Sequence, residues 1–391
     1  MIRRSCLWII LIAVFSTALQ AVATANQYAA WKNGPPHSVD FFPIAVWLQN
    51  PQKAVQYKEA GFNTYVGLWR GPTQEQLAQL RDAGMKVICH QNKFALEHVN
   101  DPTIIGWMHG DEPDNAQSLG QGKGYGPPIL PEKIIDDYNK IRTADPTRPI
   151  LLNLGQGVAW DGYYGRGVRT NHPEDYAEYV KGCDIASFDI YPVVHDKPQI
   201  TGNLWYVAGG VERLVEWTGG KKVVWNCIEC TRISNPNAKA TPYQVRCEVW
   251  MSLIHGSTGL IYFVHEFQPK FNESAILNDP EMLSTITAIN RQITELAEVL
   301  NSPTIEDAAI ISSSNEAVPV AMMTKRHDDA TYLFAVGMRG DKTTATFTLR
   351  DAESVKAVEV IGENRTITVN DGVFKDSFEA WDVHLYRIKR L

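Results

Sequence analysis

The chain has 391 residues, 44% of them hydrophobic and 21% charged, with a formal net charge of −7. That length predicts two or three domains at ~150 residues each, and the composition is that of an ordinary globular protein. The acidic balance argues against a nucleic-acid partner, because meeting phosphates requires a basic surface.

Residues 1–25 read as a secretory signal. Arg3 and Arg4 supply a positive start, residues 6–19 an apolar run, and Ala23-Thr24-Ala25 a small-x-small cleavage site. The run is short for a bilayer core of ~30 Å. The expectation is a secreted or periplasmic protein that begins at Asn26 and keeps no stable membrane association. Five cysteines remain after cleavage: Cys89, Cys183, Cys227, Cys230 and Cys247. An odd number is not a disulfide framework. On a strand, Cys227 and Cys230 would face opposite ways ~10 Å apart, beyond the ~7 Å a disulfide allows, so buried thiols are expected.

From residue 42 onward, apolar runs alternate with amphipathic ones. The strand candidates are 42–47, 64–69, 86–91, 104–109, 149–154, 184–191, 222–228 and 259–264. Several are continuously hydrophobic, as strands covered on both faces should be. Helical stretches lie between them at 53–60, 73–83, 131–144, 173–181, 206–217 and 242–252. Gly61 and Gly84 follow the first two of these helices directly, as helix-ending glycines do. Eight βα repeats predict a (β/α)8 TIM barrel over residues 26–302. A doubly wound sheet is disfavoured, since no glycine-rich loop follows the first strand. A last helix is expected at 280–300. Residues 303–391 then switch to eight short strands separated by turns such as Asn370-Asp371-Gly372, an all-β sandwich. With no low-complexity linker, the two domains are expected to share a fixed interface.

Candidate chemistry collects where strands end. Glu112, in Gly110-Asp111-Glu112-Pro113, closes strand four, and Pro113 stops the ladder by removing an N–H. Glu229 closes strand seven, and alternation places it on one face with Val223, Trp225 and Cys227. In a barrel both carboxylates would reach the active-site mouth. Two facing carboxyl groups are what glycosidic cleavage requires, one as acid and the other as nucleophile or base. Trp47, Trp69, Arg70, Asp111, Asn153, Trp160, Asp189, Tyr191, His265 and Glu266 also fall at strand ends or on the loops after them, where they are candidates for binding a carbohydrate substrate. Tyr191 is expected to donate a hydrogen bond to Glu229. His90, His109 and His265 lie at strand ends too, but strand one lacks a His-x-His pair. No metal and no other cofactor is expected.

At these residues the chain resembles clan A glycoside hydrolases. Gly110-Asp111-Glu112-Pro113 stands where that clan usually shows Asn-Glu-Pro, Asp145-Pro146-Thr147-Arg148-Pro149 is similar to a motif before its strand five, and Tyr191 falls where many members place a nucleophile-contacting Tyr. Asp111 in place of Asn, and His265-Glu266-Phe267 where Trp is frequent, depart from the pattern. The resemblance implies a retaining hydrolase of oligo- or polysaccharides, with Glu112 as acid/base and Glu229 as nucleophile. The competing expectation is a non-catalytic carbohydrate-binding protein on the same barrel.

Overall fold

The computed structural model describes residues 27–350 and 354–389, and the expected signal segment lies outside them. The barrel strands are Ile44–Trp47, Thr64–Val66, Lys86–Cys89, Ile104–Met108, Ile150–Leu154, Ile185–Phe188, a seventh in two pieces (Val223–Val224 and Asn226–Glu229), and Leu260–Phe263. All pair in parallel. Strand one lies between strands two and eight, with Ala45 opposite both Thr64 and Ile261. The first piece of strand seven pairs with strand six and the second with strand eight, which closes the barrel.

The interruption of strand seven has a local cause. Between its two pieces sits Trp225, whose indole Nε1 donates to the Tyr28 hydroxyl at 2.9 Å. Its ring packs on Gly259, where a Cβ would fall 2.5 Å from the indole. Strand two ends earlier than expected because Gly67 takes φ +82°, a conformation open to glycine. Helices Gln74–Asp82 and Pro242–Ile254 each open on a capping box, from Thr73 with Gln76 and from Thr241 with Gln244.

Two apolar layers result. The lumen is filled by residues including Ala45, Trp47, Val66, Ile88, Met108, Leu151, Val223, Trp225, Cys227 and Ile261. The outer layer, between strands and helices, holds Ile44, Val87, Trp107, Leu152, Ala186, Ile228 and Tyr262. Full burial of one such large side chain contributes ~1.5–3 kcal/mol. Cys227 lies in the lumen and Cys230 in the outer layer, and all five described cysteines are buried and free.

After helix Ala297–Leu300 the chain forms two antiparallel sheets. One holds Ala309–Ser313, Thr343–Leu349 and Val373–Phe378; the other holds Val320–His327, Ala330–Gly337, Ala357–Val360, Arg365–Thr368 and Val383–Lys389. All eight expected segments are strands; burial alternates in Thr343–Leu349, Ala357–Val360 and Arg365–Thr368, whereas Val320–His327, Ala330–Gly337 and Val383–Lys389 carry continuous buried runs because their sheet also packs on the barrel. The barrel and the β-domain share a core. Trp250 meets Phe334 at 5.3 Å between ring centroids, the Tyr243 hydroxyl donates to the Ala380 carbonyl at 2.7 Å, and the Arg246 guanidinium donates to the Val383 carbonyl at 3.2 Å.

Candidate active site

Asp111 and Glu112 reach the mouth through a turn and not by strand alternation. Strand four ends at Met108, and His109 turns outward so that its Nε2 meets the Gly182 carbonyl at 2.8 Å. Glu112 adopts φ +42°, with its N–H donating to the Asn153 carbonyl at 3.1 Å. Left-handed backbone at a non-glycine residue costs energy and is commonly kept where geometry serves a site. Beneath it, Asn153 Nδ2 donates to Asp111 Oδ1 at 3.0 Å, while Asn153 Oδ1 accepts from the Ser187 hydroxyl at 2.9 Å. Asp114 fastens the turn from behind. Fully buried, it accepts from the Gly155 N–H at 2.9 Å and from the Tyr176 hydroxyl at 2.8 Å.

Strand six brings the partner. Ser187 faces the lumen, and two residues on, Asp189 continues that face to the mouth. Its carboxyl lies within hydrogen-bonding reach of Glu112, and Oδ1 has no conventional donor. Tyr191 lies beside Asp189, not beside Glu229 as expected. Burial, then the charges of Asp189 and Asp111, push Glu112 well above the ordinary carboxyl range. Burial and the Asp111 charge push Asp189 up to about 7. Asp111 is open to solvent at the mouth; the surrounding protein raises its carboxyl above the usual range, against the Asn153 hydrogen bond that lowers it. No cation figures among the main causes for these three groups. Two like charges in contact cannot both ionise cheaply, so the Glu112–Asp189 pair holds a proton near neutral pH.

Glu229 is placed differently. It is fully buried, and its Oε1 and Oε2 accept from the backbone N–H groups of Val193 at 2.6 Å and Val194 at 3.1 Å. Its carboxyl lies against that of Glu248, on helix Pro242–Ile254 behind the barrel. Burial pushes Glu229 up to about 7, and none of its shift comes from Glu112, Asp111 or Asp189. The structure therefore brings together Glu112, Asp111 and Asp189, and encloses Glu229 in a second pair with Glu248. The physical reason is local: two loop N–H groups and a buried carboxyl all need a partner at the end of strand seven.

The remaining candidates divide between lumen and rim. Trp47 is buried in the lumen. Trp160 is half-buried, edge-on to His195 at 5.5 Å, and His195 Nε2 meets Gln156 Oε1 at 2.8 Å. Trp69 and Arg70 are exposed at the end of strand two. His265 is buried, 3.3 Å from Gln49 Nε2, and burial lowers its pKa to about 4. Glu266 is half-buried, and its backbone forms bridges with Ile233 and Asn272. Among the described residues no group of three or more His, Cys, Asp or Glu side chains is arranged to hold a metal. Sequence reasoning treated Asp189 only as a binder, placed Tyr163 on the rim without a partner, and passed over Asp114. Tyr163 lies close enough to Glu112 and Asp189 that their charges, after burial, raise its pKa. The signal for Asp114 was its place in the same Asp-Glu-Pro-Asp motif.

No protein-family model matches the sequence, and no curated protein matches it. Solved structures do. AmyP in complex with maltose matches at TM-score 0.50 and 10% identity, covering 89% of this chain and 96% of that one. The α-amylase of Geobacillus thermoleovorans complexed with acarbose matches at TM-score 0.51 and 10% identity, covering 90% and 99%. A putative α-galactosidase/melibiase of Bacteroides fragilis matches at TM-score 0.50 and 10% identity, covering 90% and 80%. At such identity the likeness is one of fold: a TIM barrel followed by a C-terminal β-domain.

Proposed function

We propose that the chain is an exported glycoside hydrolase acting on an oligo- or polysaccharide, with Glu112 as proton donor and Asp189 as the facing carboxylate. Asp189 takes the role that sequence reasoning gave to Glu229. The observation that carries the reading is the contact between Glu112 and Asp189 at the open C-terminal end of the barrel, where active sites of this architecture sit. The fold, shared with carbohydrate-active enzymes, supports it, and the signal-like residues 1–25 support export.

A glycosidic oxygen entering between the two carboxyls would take the proton held on Glu112 as its bond to the anomeric carbon breaks. Asp189, left ionised, attacks that carbon and forms a glycosyl ester. Glu112, now a carboxylate, removes a proton from water, and the resulting hydroxide displaces Asp189. This is the retaining course, which needs carboxyls ~5–5.5 Å apart, whereas inversion needs ~6.5–9.5 Å to admit a water. Asp111 and Asn153 stand ready for a substrate hydroxyl, and Tyr191 and Tyr163 flank the pair.

The test is a screen of aryl glycosides and dyed polysaccharides with wild type, Glu112→Gln, Asp189→Asn and Glu229→Gln. Turnover lost in the first two variants and largely kept in the third supports the assignment. Loss in Glu229→Gln as deep as in Glu112→Gln returns the nucleophile to strand seven. Glycan binding by a wild type that turns nothing over leaves the carbohydrate-binding function alone. Proton NMR of the first-formed anomer decides retention.

A further inference from the structure

A second concave site lies on the rim near strands one and two. Its volume is about 250 Å³, and its walls include Asn50, Trp69, Glu75, Gln76, Gln79 and Glu273. Trp69 is 51% exposed, yet its ring is fixed: the indole Nε1 donates to Glu273 Oε1 at 3.0 Å, and Gln76 Nε2 donates to the Trp69 carbonyl at 2.9 Å. Gln76 in turn belongs to the capping box that starts helix Gln74–Asp82. The opposite wall is equally anchored. The Glu273 carbonyl accepts from Gln49 Nε2 at 2.7 Å, and buried Gln49 accepts from the Tyr57 and Ser274 hydroxyls at 2.6 and 2.8 Å.

We infer that this pocket is a saccharide subsite that holds one sugar ring of an oligosaccharide whose scissile bond lies at Glu112 and Asp189. The inference rests on the glycosidase reading and extends it to substrate length. A flat apolar plate edged by carboxamides and carboxylates matches a sugar ring, which offers a C–H face to the plate and hydroxyls to the edge. An anion is disfavoured by Glu75 and Glu273, and no Lys or Arg lines the pocket. An apolar ligand would leave the amide and carboxylate walls without partners. Because the plate is held in place beforehand, little side-chain entropy is lost on binding.

The pocket's position sets the length. Strand two lies across the closed sheet from strand six, so the loops that carry Trp69 and Asp189 border the mouth from opposite sides. The segment that carries Glu273 also carries Phe271, and from there an aromatic line runs inward: Phe271 to His265 at 6.0 Å, His265 to Phe263 at 5.1 Å, and Phe263 to Tyr191 at 5.3 Å. A ring bound at Trp69 and a bond cleaved beside Asp189 belong to one extended chain of several units, which makes the enzyme a reader of oligosaccharides and not of single glycosides.

The experiment compares wild type, Trp69→Ala and Glu273→Gln on p-nitrophenyl glycosides and on β-1,4-linked gluco- and xylo-oligosaccharides and maltooligosaccharides, from disaccharide to hexasaccharide. In Trp69→Ala the ratio of kcat/KM on the longest substrate to that on the aryl glycoside should fall roughly 3- to 10-fold, the worth of one ring-stacking contact. Glu273→Gln, which keeps an acceptor for the indole, should lose less. Calorimetric titration of the same oligosaccharides into Glu112→Gln, with and without Trp69→Ala, reads the subsite without turnover. An unchanged ratio together with unchanged hexasaccharide affinity overturns the subsite. A wild type that hydrolyses nothing overturns the glycosidase reading instead, and the titration still judges the pocket.

Discussion

Glu229 Oε1 accepts the Val193 N–H at 2.6 Å, so the end of strand seven is bolted to the segment that leads away from Asp189 and Tyr191. Through this bond a carboxylate with no opening to solvent fixes the backbone that presents the other two. Its value to the site is positional. Glu229→Ala would strand two buried N–H groups at roughly 1–3 kcal/mol each, measurable by urea denaturation. Glu229→Gln keeps one acceptor and should lose much less stability, with kcat reduced only modestly.

The Glu229–Glu248 pair also predicts how stability varies with pH. Burial raises the folded pKa of Glu229 to about 7 and that of Glu248 well above the ordinary range, with the Glu229 charge adding to the latter. A carboxyl whose folded pKa is raised adds stability below its unfolded pKa, and that contribution is lost as pH climbs through the folded value. Wild type should therefore weaken between about pH 5 and pH 8, and Glu248→Gln should weaken less over the same window. Thermal melts across that range check the difference, and parallel curves would contradict it.

Replacing Glu112 by Gln removes the proton donor. The expected loss in kcat is about 10²- to 10⁴-fold on substrates with poor leaving groups. It should be much smaller on aryl glycosides whose leaving group needs no protonation. Steady-state kinetics on both substrate classes make the comparison, and equal losses would remove Glu112 from the acid role.

Asp111 tunes both members of the active pair, since its charge raises Asp189 and Glu112 alike. Activity needs Asp189 ionised and Glu112 protonated, so kcat/KM should follow a bell whose acid limb reflects Asp189, at about 7. Asp111→Asn withdraws a negative neighbour and should shift both limbs to lower pH. Limbs that stay in place while activity falls would mean that Asp111 acts only through substrate binding.

Beneath the mouth, Arg148 and Asp145 form an ion pair at 2.7 Å, both essentially buried, with Arg148 also donating to the Ile104 and Val99 carbonyls at 2.8 and 2.6 Å. Arg148→Ala leaves an unpaired buried carboxylate and should cost about 3–5 kcal/mol. The pH profile of any remaining activity should be unchanged, because Arg148 contacts none of the mouth carboxyls. Denaturation and a pH–rate profile read the two effects separately.

Much of this architecture is legible along the chain. The barrel strands show as apolar runs because each is covered on both faces, and the β-domain shows as short segments cut by turns, alternating where one face is wet and continuously apolar where the sheet also meets the barrel. Glu112 is legible because its motif follows closely on the apolar run of strand four, although the strand ends at Met108 and a turn, not Pro113, delivers the side chain. Tyr191 and Asp189 were legible as residents of the mouth, though not in their pairing.

What the sequence by itself determined is therefore the order of strands and helices and the delivery of Asp111, Glu112 and Asp189 to one end of the barrel, since burial periodicity and turn chemistry are local properties. What only the tertiary structure decided is the partner of each carboxyl. Counting alternate residues carries correctly across the break at Trp225, with Val223, Trp225 and Cys227 all in the lumen, but it does not name the partner of the carboxyl that ends the strand. The direction of the Glu229 carboxyl is set by the N–H groups of Val193 and Val194 and by Glu248, which come from a loop and a helix on either side of it. A buried charge goes where unpaired donors are, and their location is a property of the folded chain.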